Sequence, residues 1–387
     1  MKVLHVITGL DVGGAELQLA AVLKQTKNDA DVVTLYNPGP VADKIRDAGV
    51  SVRDLGMSSN TQLGALLRLY KIIKDGKYDV VHAHLYRAQV YARPAARLAG
   101  TPVVLTTEHS IGETHIERRK MTTSVRALYL ASELFSDATI AVADVVRERL
   151  VRWGVPERKI TVIPNGLDFS GLSYDPAVAK SVRAQFGIAD GTYVIGTLGR
   201  LDPNKRIDLA IEAAAPLLGD DCKLLVIGRG EDGERLEGVA RKLGVSGHVI
   251  FGGYQADMAA MLSAFDLNLT TSLQETFGLS VLEALANGLP VLYTTCPAMD
   301  GISTPRARQV EGSVPALRAE LAKEIEAGSR PRQPVTEVME RYGIDSVAER
   351  IDGLYDRLAA RRAPRLSQRL TRRDRRARQA AVAGERR

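Results

Sequence analysis

The sequence predicts an α/β architecture of two parallel-sheet domains, on three observations. Short β-branched apolar runs alternate with helical patterns, as a parallel sheet requires. The alternation stops at a Pro/Gly-containing break and then starts again. The 387 residues, 45% hydrophobic and 25% charged, have the composition of a globular chain long enough for two cores and too long for one.

In the first series, strand candidates fall at Val3–Thr8, Asp31–Tyr36, Asp79–His84, Pro102–Thr107, Ala138–Val142 and Ile160–Ile163. Between them, apolar residues recur at helical spacing in Ala15–Gln25, Thr61–Lys74, Ala88–Ala99 and Asp144–Trp153. Pro164-Asn165-Gly166-Leu167-Asp168 interrupts regular structure and suits a hinge. The second series has strands at Tyr193–Leu198, Lys223–Ile227, Val249–Phe251, Asp266–Thr270 and Pro290–Tyr293. Its helices are expected near Ile207–Leu218, Glu231–Leu243, Met258–Ala264 and Leu279–Asn287, with terminal helices over 314–327 and 345–361. Two such sheets facing each other leave a cleft at the carboxyl ends of their strands, where ligands of open α/β folds bind.

The excess of 52 Lys+Arg over 46 Asp+Glu is local. Residues 361–387 hold eleven arginines against Asp374 and Glu385, leaving residues 1–360 with 41 cations against 44 carboxylates. Beyond Pro364 only Leu366, Leu370 and Val382 are large and apolar, too few to bury a face, so a disordered tail is expected. The two cysteines, Cys222 and Cys296, form neither a disulfide framework nor a metal spacing, which fits a reducing, cytoplasmic setting. The opening run, broken by His5, reads as a strand and not as a signal peptide. No run of about 18 apolar residues is present, which excludes a membrane-spanning helix on length.

Three segments carry candidate chemistry. Gly13-Gly14 follows the first strand and opens a helix, where small residues let backbone amides approach an anionic or hydroxyl-rich ligand. The turn is not a G-x-G-x-x-G, which argues against a dinucleotide dehydrogenase. Arg200, Lys205 and Arg206 follow the first strand of the second series, where a guanidinium and an ammonium neutralise a diphosphate. In the segment Gln274 to Ala286, a helix starting near Gly278 would offer free amides at Gly278 and Leu279 to phosphate oxygens. Glu275 and Glu283 flank that start, and either carboxylate can grip a vicinal diol. His82 and His84 point to one face of their strand and read as architecture, because no partner carboxylate makes them a metal site. Asp29-Ala30-Asp31 reads as a turn and not as a metal-binding Asp-x-Asp.

The three segments, with the strand end Asp79 to His84, Thr107-Glu108-His109 and Ile163 to Asp168, resemble in order and spacing the retaining, nucleotide-sugar-dependent glycosyltransferases of the GT-B fold, family 4. The resemblance covers roughly residues 1–360. It implies that Arg200 and Lys205 hold the donor diphosphate, Glu275 the transferred sugar and Glu283 the ribose. Gly278 and Leu279 would supply phosphate-facing amides, Gly13, Gly14, Gly228 and Phe277 complete the donor-binding set, and His109 is the active-site histidine beside the donor sugar. It implies a division into an acceptor-side domain (1–166), a nucleotide-sugar domain (167–344), a helix packing back on the first domain (345–362) and an Arg-rich tail (363–387). No cofactor and no obligatory metal are expected. The expected partners are a UDP- or GDP-sugar and a lipid-linked saccharide or glycan acceptor in cell-surface glycan synthesis. The tail would meet an anionic membrane at its inner face.

Two departures stand out. Arg206 occupies the position after the lysine where the family often has glycine, and Thr294 to Gly301 replaces the usual Gly-Gly-x-x-Glu loop. Two other readings fit less well. A nucleotide-sugar 2-epimerase shares the fold, but the spacing of Glu275 and Glu283 favours a transferase. A nucleic-acid-binding role for the tail lacks stacking aromatics and a recognised module.

Overall fold

The computed structural model describes residues 1–59, 62–117 and 119–361. The chain divides into two compact units. The first comprises Met1–Val142, Val146–Ile163 and the described residues from Asp345 on; the second comprises Ala143–Val145 and Pro164–Ile344.

The first unit contains β1 (Lys2–Ile7), β2 (Asp29–Thr34), β3 (Ser51–Asp54), β4 (Val80–His84), β5 (Val103–Glu108), a ribbon of β6 (His115–Ile116) and β7 (Arg119–Lys120), then β8 (Ala138–Ala141) and β9 (Ile160–Val162). Seven of these form one parallel sheet in the order β3-β2-β1-β4-β5-β8-β9. Strand alternation splits β1 between two faces. Leu4 and Val6 join Val81, Ala83 and Val104 in a core under the helices Leu63–Gly76 and Tyr86–Ala99. Ile7 faces the other way and packs with Leu19, Leu23 and Ile45. Each fully buried leucine contributes roughly 2 kcal/mol of transfer free energy.

The second unit has β10 (Tyr193–Leu198), β11 (Cys222–Ile227), β12 (Val249–Gly253), β13 (Leu267–Thr270), β14 (Val291–Tyr293) and β15 (Ala307–Gln309), all parallel in the order β12-β11-β10-β13-β14-β15. The helices Ile207–Ala214 and Val314–Ala327 cover one face through Leu209, Leu317 and Leu321.

A helix over 344–361 ends the described chain, and from Asp345 it belongs to the first unit. Asp352 accepts hydrogen bonds from Thr26 Oγ1 (2.8 Å), Lys27 N (3.1 Å) and Asn28 Nδ2 (2.8 Å). Arg350 donates to the Val162 carbonyl at 2.9 Å.

The predicted α/β class and parallel sheets are present, with additions. β3 escaped the periodicity because Ser-Val-Arg-Asp is a mostly exposed edge strand with one apolar residue. The helix Pro176–Gln185 was also unanticipated, although Asp175 caps it, accepting from the amides of Ala177 (2.8 Å) and Val178 (3.1 Å). One expectation is corrected: Asp29-Ala30-Asp31 is no turn but the start of β2, paired with β1 from Lys2↔Asp29. There Asp31 accepts from the Tyr78 hydroxyl at 2.7 Å. No helix among the described residues is long and apolar enough to cross a membrane. The expected Arg-rich tail, 363–387, lies outside the described residues.

Candidate active site

In the second unit, β10 and β13 are neighbours, so the loops leaving their carboxyl ends are neighbours too. Hydrogen bonds knit the two loops together. Leu273 N donates to the Asn204 carbonyl (2.8 Å) and Asn204 Nδ2 to the Gln274 carbonyl (2.9 Å). Thr271 Oγ1 donates to the carbonyls of Lys205 (3.0 Å) and Arg206 (2.8 Å). This stitching brings Lys205 Nζ to 2.6 Å from Glu275 Oε1, a pair with side chains 24% and 13% exposed. A partly buried pair of this kind is coupled more strongly than a surface one.

Arg200 precedes and Lys205 ends a short 3-10 turn, Pro203–Lys205, and the two have different partners. Asp202 caps the turn through Asn204 N (3.1 Å) and takes Arg200 Nε at 2.9 Å, with the Arg200 side chain 48% exposed. Arg206 turns to Asp208 at 3.3 Å. Its backbone is left-handed (φ +48°), a conformation that favours glycine.

The loop ends at Gly278, in left-handed conformation (φ +103°), and the helix Leu279–Ala286 begins without a side-chain cap. Its first amides lie at a positive dipole end and remain available to an anion. Cys296, from the loop after β14, lies under this turn, its thiol directed at the carbonyls of Phe277 (3.4 Å) and Gly278 (3.6 Å). A β-carbon on Gly278 would collide with that sulfur. Thr294 Oγ1 ties the same loop to the Ser272 carbonyl at 2.7 Å. The segment that departs from the family pattern is thus the floor of the turn.

Glu283, one turn into the helix, is partly buried, and its carboxyl has no hydrogen bond or ion pair among the described residues. Burial pushes its pKa up to about 7. Two expected donor-binding residues have other work. Phe277 is buried, its ring and that of Tyr342 perpendicular with centroids 5.3 Å apart, so its side chain seats the loop. Gly228 has φ +143°, and a β-carbon there would overlap the Gly199 carbonyl, so its glycine character serves the crossing of two backbones.

In the first unit, Gly13 precedes the helix Gly14–Gln25 in extended conformation, again without a side-chain cap. His109 follows β5. Alternation sends Glu108 to the opposite face, where it is fully buried, accepting from Ser110 N (2.9 Å) and Gln89 Nε2 (3.3 Å) and so fixing the turn that presents His109. Burial raises the Glu108 pKa, opposed by those hydrogen bonds. Parallel register places His5 of β1 opposite His82 of β4, and His84 opposite Thr107. His5, His82 and His84 each bring a ring nitrogen within 4.8 Å of the others, and His84 Nδ1 lies 3.3 Å from His109 Nε2. In the sequence His5 only breaks an apolar run; the strand register, which no local pattern shows, makes it a partner.

Residues 12–170 match the family model described as Glycosyltransferase Family 4, and residues 178–325 match Glycosyl transferases group 1. The chain is 29% identical over 275 residues to UDP-Gal:alpha-D-GlcNAc-diphosphoundecaprenol alpha-1,3-galactosyltransferase of Escherichia coli, covering 66% of this chain and 69% of that protein. It is 26% identical over 397 residues to the D-inositol 3-phosphate glycosyltransferase of Acidothermus cellulolyticus, covering 91% and 87%. Among solved structures, Anabaena HepE in complex with UDP-glucose superimposes with a TM-score of 0.82 at 22% identity, over 92% of this chain and 99% of that one. Sucrose-phosphate synthase of Thermosynechococcus elongatus gives 0.74 at 20% identity, over 93% of this chain and 100% of that one. With its halves matched in order by the two models and both sheets in place, the chain belongs to the group 1 glycosyltransferases of family 4, with the GT-B fold.

Proposed function

We propose that the protein moves a sugar, with retention of configuration, from a UDP-sugar to a lipid-linked saccharide in the assembly of a cell-surface glycan. The observation that carries the reading is the grouping in the second unit of the Lys205–Glu275 pair, the uncapped helix start at Gly278 and the unpartnered carboxyl of Glu283. One cation and a set of free amides suit a diphosphate, and two separated carboxylates suit the hydroxyls of the two sugar rings that flank it.

As the glycosidic bond breaks, negative charge grows on the diphosphate oxygen, and Lys205 and the amides at Gly278 and Leu279 are preorganised to stabilise it. Glu275 leaves Lys205 to the phosphate and takes the hydroxyls of the transferred sugar, while Glu283 holds the ribose. Arg200 is exposed enough to swing from Asp202 to the diphosphate. This set of charges makes an obligatory metal unnecessary, and activity is expected to persist in EDTA. The acceptor is assigned to the first unit, with His109 as its active-site histidine. Support for a UDP-sugar and a lipid-linked acceptor comes from the E. coli relative, whose name gives UDP-Gal and a GlcNAc-diphosphoundecaprenol, and from HepE, which binds UDP-glucose.

Thermal unfolding with a panel of UDP- and GDP-sugars tests the donor. A ligand at 100 times its Kd adds about 2.7 kcal/mol, so a UDP-sugar should raise Tm clearly and a GDP-sugar should not. A shift with neither class would remove the donor assignment.

A further inference from the structure

The first unit holds a row of imidazoles that leads from the sheet interior to His109. His5 Nδ1 lies 3.1 Å from His84 Nε2, and His84 Nδ1 lies 3.3 Å from His109 Nε2. The rings of His84 and His109 stack with centroids 5.6 Å apart. Beside the row, His82 is held at both nitrogens, by the Tyr355 hydroxyl and by Thr107 Oγ1, each at 2.7 Å, and its ring centroid is 4.2 Å from that of His84.

Three neutral imidazoles within 4.8 Å invite a metal reading, which the geometry does not favour. Ligand nitrogens about 2.0 Å from a tetrahedral zinc sit roughly 3.3 Å apart. The His5–His84 pair, at 3.1 Å, has about that spacing, but both nitrogens of the third member, His82, are engaged by Tyr355 and Thr107. Hydrogen bonding explains the contacts better.

Burial keeps the inner row uncharged: it lowers the His5 pKa to about 3, and it lowers those of His82 and His84 well below the ordinary value, with neighbouring imidazoles adding to the effect. A neutral imidazole has one N–H and one lone pair. His84 must therefore donate to one of its two histidine neighbours and accept from the other. In one arrangement, His5 donates from Nδ1 to His84, His84 donates from Nδ1 to His109, and His109 carries its own proton on Nδ1. In the other, His109 donates from Nε2, His84 donates from Nε2 to His5, and His109 keeps a lone pair on Nδ1. Any mixture sets two N–H groups or two lone pairs against each other inside the protein, where an unsatisfied polar contact is costly.

We infer that His84 and His5 are positioning residues: the row His5–His84–His109 locks the three tautomers together, so that His5 and His84 constrain which ring nitrogen of His109 carries the proton and hence what His109 presents to a donor sugar. The role of His109 at the sugar rests on the glycosyltransferase reading; the coupling of tautomers rests on the row alone. His5 acts through His84 and touches no substrate.

The test uses the full-length protein labelled with 15N, whose six histidines make a tractable set. Two-bond 1H–15N correlations report the tautomer of each ring, and His109→Gln assigns the His109 signals. The wild type should show His109 in one tautomer. His5→Leu and His84→Leu should turn it into a mixture, and His5→Asn, whose amide takes the place of Nδ1, should restore a single form. In the transfer assay kcat should fall roughly 10- to 100-fold in His5→Leu, the range for groups that orient a working imidazole. The donor KM should stay within about twofold, and His5→Asn should recover much of the rate. If His84→Leu does not fold, His5→Leu, one residue further from His109, decides alone. Unchanged His109 nitrogen shifts in the folded leucine variants overturn the inference. So does added zinc that moves the ring signals of His5, His82 and His84 together, which would make the trio a metal site. A wild type that shows the expected tautomer response but transfers no sugar upholds the row and removes the functional reading instead.

Discussion

Glu283 carries its carboxyl without a partner among the described residues, at a pKa raised by burial from 4.5 to about 7. The folded protein therefore holds this proton more tightly than the unfolded chain does. The resulting destabilisation is absent below pH 4.5, grows between 4.5 and about 7, and is complete above. Glu283→Gln should accordingly stabilise the protein by roughly 1–3 kcal/mol at alkaline pH and by nothing near pH 4. Urea unfolding at the two pH values measures this; an equal gain at both contradicts the burial argument. The same substitution should weaken UDP binding roughly tenfold by calorimetry, as expected when a charged acceptor becomes a neutral one. Lys205→Ala should lower kcat roughly 10²- to 10³-fold, comparable to the loss of one preorganised donor; a variant with an unchanged rate contradicts its assignment to the leaving group. Glu275→Ala should abolish transfer while UDP still binds, and loss of UDP binding would show that this carboxylate serves the nucleotide. Arg206, left-handed at φ +48°, should tolerate glycine, with a gain of up to about 1 kcal/mol from relief of its backbone conformation; a lower Tm contradicts that reading.

At the scale of elements, the candidate site is a product of strand order. Seventy residues separate Lys205 from Glu275, and no spacing rule joins them; they meet because β10 and β13 are adjacent and their loops exchange backbone hydrogen bonds. The residue types were legible in the sequence because cations after a strand and a glycine opening a helix have local chemical meaning. The ion pair, the unpartnered state of Glu283 and the packing roles of Phe277 and Gly228 were not, because each depends on a neighbour remote in sequence. The fold shows the same division. Buried strands such as Tyr193–Leu198 announced themselves as continuous apolar runs, while the polar edge strand Ser51–Asp54 carried no such signal. The helix over 344–361 depends on Asp352, whose carboxylate gathers three hydrogen bonds from residues 26–28. Asp352→Ala should cost about 2–3 kcal/mol in urea unfolding, since two of the donors are side chains able to rehydrate and one is a backbone amide; an effect below about 0.5 kcal/mol would mean the helix is held by its apolar face alone.

For the whole molecule, the basic overall charge of +6 says little about the site, because residues 1–360 carry 41 cations against 44 carboxylates. A polyanion-binding role is therefore not the message of the charge. The proposed function instead divides the labour: nucleotide chemistry in the second unit at Lys205, Glu275, Gly278 and Glu283, and an acceptor with His109 in the first. The most direct test is to incubate the full-length protein with a UDP-sugar and a GlcNAc-diphosphoundecaprenol acceptor, in EDTA, and to determine the linkage of any product by NMR. The account predicts UDP release that depends on the acceptor, and a new glycosidic bond with the anomeric configuration of the donor. UDP-sugar consumed without acceptor, or a product of inverted configuration, would contradict it.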